Sequence, residues 1–538
     1  MKVVSIGSSD SRDYPVVQPS WKNVCAAVGY ALSTVLSIAV AFGAGSLVSA
    51  MAEKGAGDDA VPVLLGCLAL SVVGGAAVIV LQTWVPVKVQ IERLGRAASR
   101  ALRDVLGMAQ AEYEKSDKGY YLNVLSGSTD VYGKSYADAN VLLVGSTICL
   151  IAVLIGAGAL DALFVPVFLA YFALFGCAMM LPANRLAAIQ RDGLPAQDAF
   201  MGEAKSIVES KRSINTTHSE VFFGARYRKR GEGYERFCLR RQFWQQLANS
   251  LPTLLTNLLQ VGVLGVSAWR CLEGAAPAGS VFTAYIVASL AQEPLSAFLL
   301  ALTSYASNVP HVERLRSLAS RAAEPSGFGA LRGGEAGPVV ARLDGALYAD
   351  ASRSGEPLFR ARGIEVRAGS LVVVKGPNGS GKSRLLDFLA GLSDPACLDG
   401  RAELSPELAS CDYLTYPVPV VAGTLADNML GARPDPAAAR ALGLGDLASR
   451  EITDQPLNLS LGERQKIGLL RALSGGSPVL LLDEPLTNLD GAAREGLCRL
   501  VEGMRGERTV VAVMHSGELD GAADQILEVR GGELERVK

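Results

Sequence analysis

Six apolar stretches constrain this chain more than any other feature: Cys25–Ala50, Val61–Val87, Val141–Leu160, Leu163–Leu181, Leu251–Trp269 and Val281–Leu302. Most supply about the 20 apolar residues that a helix needs to cross a bilayer. The fifth stretch carries Asn257 and Gln260, and the sixth is interrupted by Gln292-Glu293-Pro294. Polar groups at membrane depth are costly unless they face a cavity or a partner, and Glu293 could hold a cationic cargo or cap a kink at Pro294. Beyond these stretches the chain reads as a soluble α/β domain, so the mean hydropathy of +0.26 averages two different halves. A net charge of −2 argues against nucleic acid as a partner. The nine cysteines show no C-x-x-C spacing, so neither a disulfide framework nor a zinc site is indicated; Cys25, Cys67, Cys149 and Cys177 read as small buried hydrophobes. The polar N-terminus through Lys22 lacks the pattern of a cleavable leader.

The connections set the orientation. Lys88–Asn140 carries Arg93, Arg96, Arg100, Arg103, Lys115, Lys118 and Lys134, and Arg185–Arg241 is similarly basic, whereas Glu53–Asp59, Asp161 and Glu273–Gly279 are short and poor in such residues. The positive-inside rule places the two long loops, and with them both termini, in the cytosol. Ile91–Tyr113 and Ala196–Phe243 have helical periodicity with charged faces, as though membrane helices continue into the cytosol and carry motion at their tips. Glu324–Pro338, rich in glycine and bounded by proline, reads as a linker.

Chemistry is concentrated after residue 339. Residues 376–383 read Gly-Pro-Asn-Gly-Ser-Gly-Lys-Ser after the apolar run Leu371–Val374, the strand–loop–helix context of a phosphate-binding loop. Gly376, Asn378, Gly379 and Gly381 would wrap backbone N–H groups around phosphates, Lys382 would reach the β/γ-phosphates, and Ser383 would hold Mg²⁺. Val479–Leu482 is an apolar strand ending in Asp483, placed for the Mg²⁺ shell, and Glu484 follows as a candidate general base. Leu459-Ser460-Leu461-Gly462-Glu463 precedes the helix Arg464–Leu473, so Ser460 and Gly462 form a second anion site at its N-terminus. His515 ends the strand Thr509–Met514, where a histidine can sense the γ-phosphate.

In this order the motifs resemble those of ATP-binding cassette (ABC) transporters: Walker A at 376–383, signature at 459–463, Walker B with glutamate at 479–484, D-loop at Thr487–Asp490 and histidine switch at 515. Gly119–Leu125 with Asp130, Glu220–Gly224 and Gly423–Asn428 are also similar to family segments. The resemblance implies an exporter-type half-transporter: a six-span α-helical transmembrane domain (residues 1–323), a linker (324–338) and an α/β P-loop ATPase domain (339–538). It implies ATP and Mg²⁺ as cofactors, with Tyr348 as the aromatic on adenine. Two cassettes would sandwich ATP between one Walker A and the other chain's Ser460, Gly462 and Glu463, with Asp490 in the D-loop. The implied partners are a second half-transporter, a lipid bilayer and an unidentified cargo; the setting is a bacterial plasma membrane. Leu461 and Glu463 replace the usual glycine and glutamine of the signature, and Tyr416 stands where the family places the Q-loop glutamine. Lipid, drug and peptide export remain open, beside a weakly coupled heterodimer half and an uptake-type relative.

Overall fold

The computed structural model describes Tyr14 and residues 21–54, 60–324, 327–329, 331, 337–453 and 457–538. Residues 55–59 of the first short connection and much of the expected linker lie outside the described residues. The chain forms two compact units, Met1–Met108 with Ser116–Ala323, and Ala109–Lys115 with Glu324–Lys538.

The first unit is helical. Its elements are α1 (Trp21–Lys54), α2 (Ala60–Gly107), α4 (Lys118–Asn123), α5 (Thr129–Leu160), α6 (Phe164–Glu209), α7 (Lys211–Thr217), α8 (Glu220–Leu272), α9 (Ala278–Leu290) and α10 (Gln292–Ala323), while α3 (Gln110–Tyr113) belongs to the second unit. Among the described residues five helical segments are long and apolar enough to cross a membrane: Asn23–Ser49, Lys118–Leu160, Phe164–Glu209, Glu220–Leu272 and Ala278–Ala323. The expected second span, Val61–Val87, falls on α2, where most side chains lie outside the described residues. α8 has 53 residues, or about 80 Å of helix, far more than the roughly 30 Å of hydrocarbon it would cross. Helices α9 and α10 are separate because Pro294 has no N–H to give the Leu290 carbonyl and its ring crowds that oxygen.

Packing in this unit follows helical periodicity. Phe164, Phe168, Tyr171, Phe175 and Met179 form the buried stripe of α6, against Leu259 and Val263 of α8 and Val287 and Ala288 of α9. The Tyr171 hydroxyl finds the Thr256 hydroxyl at 2.7 Å, so the one polar end of that stripe is satisfied. The cysteines correct the sequence reading. Cys149 is buried, but Cys25 and Cys177 are exposed on α1 and α6. A membrane helix is apolar all round, so an apolar neighbourhood says nothing about which face a thiol occupies.

The second unit is built on a nine-stranded sheet ordered β4-β1-β2-β9-β8-β3-β7-β6-β5. The strands are β1 (Val339–Leu347), β2 (Phe359–Arg367), β3 (Leu371–Lys375), β4 (Leu398–Leu404), β5 (Asp412–Leu414), β6 (Val479–Asp483), β7 (Thr509–Val513), β8 (Gln525–Arg530) and β9 (Glu533–Arg536). Helices α11 (Lys382–Ala390), α12 (Pro436–Ala441), α13 (Leu461–Ser474) and α14 (Gly491–Gly503) accompany them. Leu371 and Val373 enter one apolar core and Val372 and Val374 the other, so β3 is covered on both faces. That is the environment in which a parallel strand reads as an unbroken apolar run.

Close contact between α1 and α9 depends on glycine. A Cβ at Gly279 would lie 1.9 Å from the Gly45 carbonyl oxygen. Gly279→Val is therefore expected to cost about 1–3 kcal/mol and lower the thermal midpoint in detergent. Gly262→Ala, with open space around it, should leave the midpoint unchanged.

Candidate functional site

β7 lies between β3 and β6, and Val513 stands opposite both Val374 and Asp483. The C-terminal ends of three parallel strands therefore meet at one edge, where ligands bind in open α/β sheets. Beyond β3 the backbone turns through Gly376 (φ 148°), Gly379 (φ 81°) and Gly381 (φ 89°), a loop that non-glycine residues would strain. A Cβ at Gly381 would also meet Leu358 at 2.8 Å. Asn378 is exposed on this loop. Lys382, only 6% exposed, donates from Nζ to the carbonyls of Gly376 at 2.9 Å and Pro377 at 2.8 Å. Burial pushes its ammonium down, and the charges of Glu484 and Asp483 oppose that shift.

Across the loop, burial pushes the Asp483 carboxyl up, and a hydrogen bond from Ser383 pulls the other way. Asp483 Oδ1 is buried without a hydrogen-bond partner. A buried orphan carboxylate oxygen beside a serine hydroxyl is a hard oxygen donor set, which fits Mg²⁺. A cation there would neutralise phosphate charge.

Glu484 leaves the strand with φ 46°, unusual for a non-glycine residue and typical of strained functional sites. Its backbone N–H donates to the Val513 carbonyl at 3.2 Å, its Oε1 lies 2.9 Å from His515 Nε2, and Thr487 reaches its Oε2 at 3.4 Å. The strand before His515 ends at Val513, so the histidine stands free of the sheet while the Met514 N–H still bonds to the Val374 carbonyl. Lys382, Ser383, Asp483, Glu484 and His515 thus form one cluster.

The remaining expected residues are placed elsewhere. Ser460 is the N-cap of α13 and forms a capping box with Glu463: the Glu463 N–H donates to the Ser460 hydroxyl at 3.2 Å and the Ser460 N–H to Glu463 at 2.8 Å. Glu463 also pairs with Arg450 at 3.0 Å. A Cβ on Gly462 would lie 2.6 Å from the Asn488 carbonyl oxygen, so glycine is required there. Asp490 caps α14 through the Ala493 N–H and pairs with Lys466 at 2.6 Å. Among the described residues neither Ser460 nor Glu463 bonds to the phosphate loop. Tyr348, half-buried after β1, has its backbone fixed to the Cys397 carbonyl at 2.9 Å. Tyr416 is 60% exposed.

Sequence reasoning missed Gln465. It is buried on α13, its Nε2 reaches the Glu484 carbonyl at 3.5 Å, and its Oε1 has no partner. A polar residue on the buried face of an amphipathic helix was the available signal.

A second feature lies on α8. Gln246, Asn249, Ser250, Thr253 and Asn257 recur at helical spacing on an exposed face, beside a hollow of about 590 Å³. Gln292 donates to Thr253 at 3.1 Å and Gln260 to Ser289 at 3.1 Å, so the α9–α10 break is tied to this polar row. Glu293 stands exposed at the break, within electrostatic reach of Tyr30 and Cys149.

Comparison with known proteins agrees with this architecture. The family model for the ABC transporter transmembrane region matches residues 24–294, and the ABC transporter model matches residues 423–487. The chain belongs to the ABC transporter family, with the transmembrane region and the ATP-binding domain fused in one polypeptide. It is 34% identical over 194 residues to the ABC transporter ATP-binding protein RamB of Streptomyces coelicolor, covering 33% of this chain and 32% of that relative. The match therefore spans about a third of RamB's length. The mycobactin import ATP-binding/permease protein IrtB of Mycolicibacterium thermoresistibile is 27% identical over 434 residues, 73% of this chain and 72% of IrtB. A bacterial Atm1-family ABC exporter with ATP bound shares the fold, with a TM-score of 0.80 at 18% identity over 96% of this chain and 94% of that one.

Because capping boxes accept glutamine as well as glutamate, Glu463→Gln should preserve exchange protection at the first-turn amides of α13. Glu463→Ala should lose it, at a cost of about 1 kcal/mol. Hydrogen exchange of the whole chain in detergent distinguishes the two.

Proposed function

We propose that this chain is one half of an ATP-driven transporter of the exporter type, working as a dimer by alternating access. ATP lies on residues 376–383, with Lys382 on its β/γ-phosphates and Tyr348 beside the adenine. Ser383 and Asp483 hold Mg²⁺. Glu484 takes the proton of the attacking water, and His515, hydrogen-bonded to Glu484, holds it in place and meets the γ-phosphate. The observation that carries this reading is the 2.9 Å contact between Glu484 and His515 at the rim of the cluster containing Lys382. It supplies a base, an orienting partner and a phosphate cradle on adjacent strand ends.

Two copies are required for a physical reason. Ser460 and Gly462 present a helix N-terminus that can bind phosphate, yet their partners within the chain are structural. A second chain supplies the nucleotide they would bind, and Asp490 and Glu463 shape that edge. The polar row of α8 points the same way, since amides facing lipid would be unsatisfied whereas a water-filled passage between two chains satisfies them. The basic loops support a cytosolic location for the ATP domains and both termini. The cargo is a lipid, drug or peptide. The extended likeness to an import protein supports uptake as a second reading, which whole-cell accumulation assays separate from efflux.

In lipid nanodiscs Glu484→Gln should reduce phosphate release at least about 10²-fold while retaining binding of a fluorescent ATP analogue. Lys382→Ala should lose nucleotide binding. Hydrolysis that survives Glu484→Gln largely intact would overturn the assignment of the base.

A further inference from the structure

One part-buried polar contact beneath the phosphate loop has no part in the roles assigned above. α11 carries Ser383 and, one turn later, Asp387, so the two share a helix face. β5 pairs in parallel with β6 and sets Tyr413 opposite Leu481, two residues before Asp483. From there the Tyr413 hydroxyl donates to Asp387 Oδ1 at 3.0 Å, and Arg384 lies 3.8 Å from Oδ2. Asp387 is within electrostatic reach of Asp483, and Tyr413 of both. A carboxylate fixed by a phenol and flanked by a guanidinium, on the helix that carries Ser383, invites a chemical explanation.

A second carboxylate lies in the loop tip that belongs to this unit. Glu114 follows α3, is exposed, accepts from Gln110 at 2.9 Å, and lies within electrostatic reach of Asp387. The first long loop thus contributes a negative charge that Asp387 feels.

We propose that Asp387, held by Tyr413, is a positioning residue that strengthens the divalent-cation site at Ser383 and Asp483, and that Glu114 adds to this anionic layer from the loop tip. The proposal rests on reading Ser383 and Asp483 as the cation's ligands. An anion one layer behind the ligands attracts the cation directly and holds the ligands in their binding orientation. The phenol matters because it fixes the carboxylate; without it Asp387 can rotate toward water. The loop term carries a thermodynamic consequence. If the position of Glu114 changes cation affinity, cation binding must bias the position of Glu114 by the same free energy. This links the nucleotide site to the loop tip at a position other than Tyr416, whose exposed phenol stands where the family's glutamine would.

The test uses the full chain in nanodiscs with a non-hydrolysable ATP analogue and Mn²⁺ as the probe, read by electron paramagnetic resonance. Asp387→Asn should weaken Mn²⁺ binding about tenfold. Tyr413→Phe should weaken it about threefold, and Glu114→Gln, acting through solvent, about twofold. Binding of a fluorescent nucleotide in excess chelator should be unchanged in all three, which also reports that each variant is folded. Unchanged Mn²⁺ affinity in both Asp387→Asn and Tyr413→Phe overturns the proposal, and an unchanged Glu114→Gln overturns the part played by the loop. Equal loss of metal-free nucleotide binding overturns it too, by making the pair part of the general fold. An unaltered chain that binds nucleotide but no Mn²⁺ removes the cation reading beneath it.

Discussion

The nucleotide site depends on β7 lying between β3 and β6. Val513 is the common partner of Val374 and Asp483, so one residue of one strand sets the relative height of the phosphate loop and the acidic strand. Shifting that register by one residue would send every side chain on β7 to the opposite face. It would also break the bonds from the Met514 N–H to Val374 and from the Glu484 N–H to Val513. The buried aliphatic residues of these strands, each worth roughly 1.5–3 kcal/mol on burial, oppose such a shift. The apolar core thus supplies the precision that the charges need, since Lys382 and Asp483 sit where burial disfavours both of their charged forms.

The helical unit solves a different problem with the same materials. Its side chains can be apolar on every face because lipid and protein interior are alike to them, so polarity carries the information. Thr256 and Tyr171 bond to each other and vanish into the core. Gln246, Asn249, Thr253 and Asn257 instead stand exposed along one face of α8, beside Leu254, Leu258 and Val261. The break before Pro294 brings Gln292 to that surface, which makes the kink part of the same feature.

Much of this was legible in residue order. The glycines, Lys382 and Ser383 announce a phosphate loop because the loop is local, and long apolar runs announce helices because lipid demands them. What could not be read were facts set by distant neighbours. Asp387 looks like any surface carboxylate until β5 places Tyr413 beside it. Cys25 and Cys177 look buried until their helices are rotated into place. Glu463 invited comparison with a glutamine at the same signature position, yet its local role is that of a capping-box acid, a pattern the Ser-x-x-Glu spacing already spells out. Gln465 was missed because its partner is the backbone carbonyl of Glu484, just past the end of β6 and 19 residues along the chain.

The central claim is that each ATP is held by two chains, by the phosphate loop of one and the Ser460 edge of the other. Mixing Lys382→Ala chains with Ser460→Arg chains tests it most directly. Each variant alone should be inactive, while mixed dimers contain one site with an intact phosphate loop facing an intact signature. The account predicts that hydrolysis returns on mixing, to about a quarter of the unaltered rate at equal proportions. Activity that stays absent after verified exchange of chains, or that each variant shows alone, would contradict it.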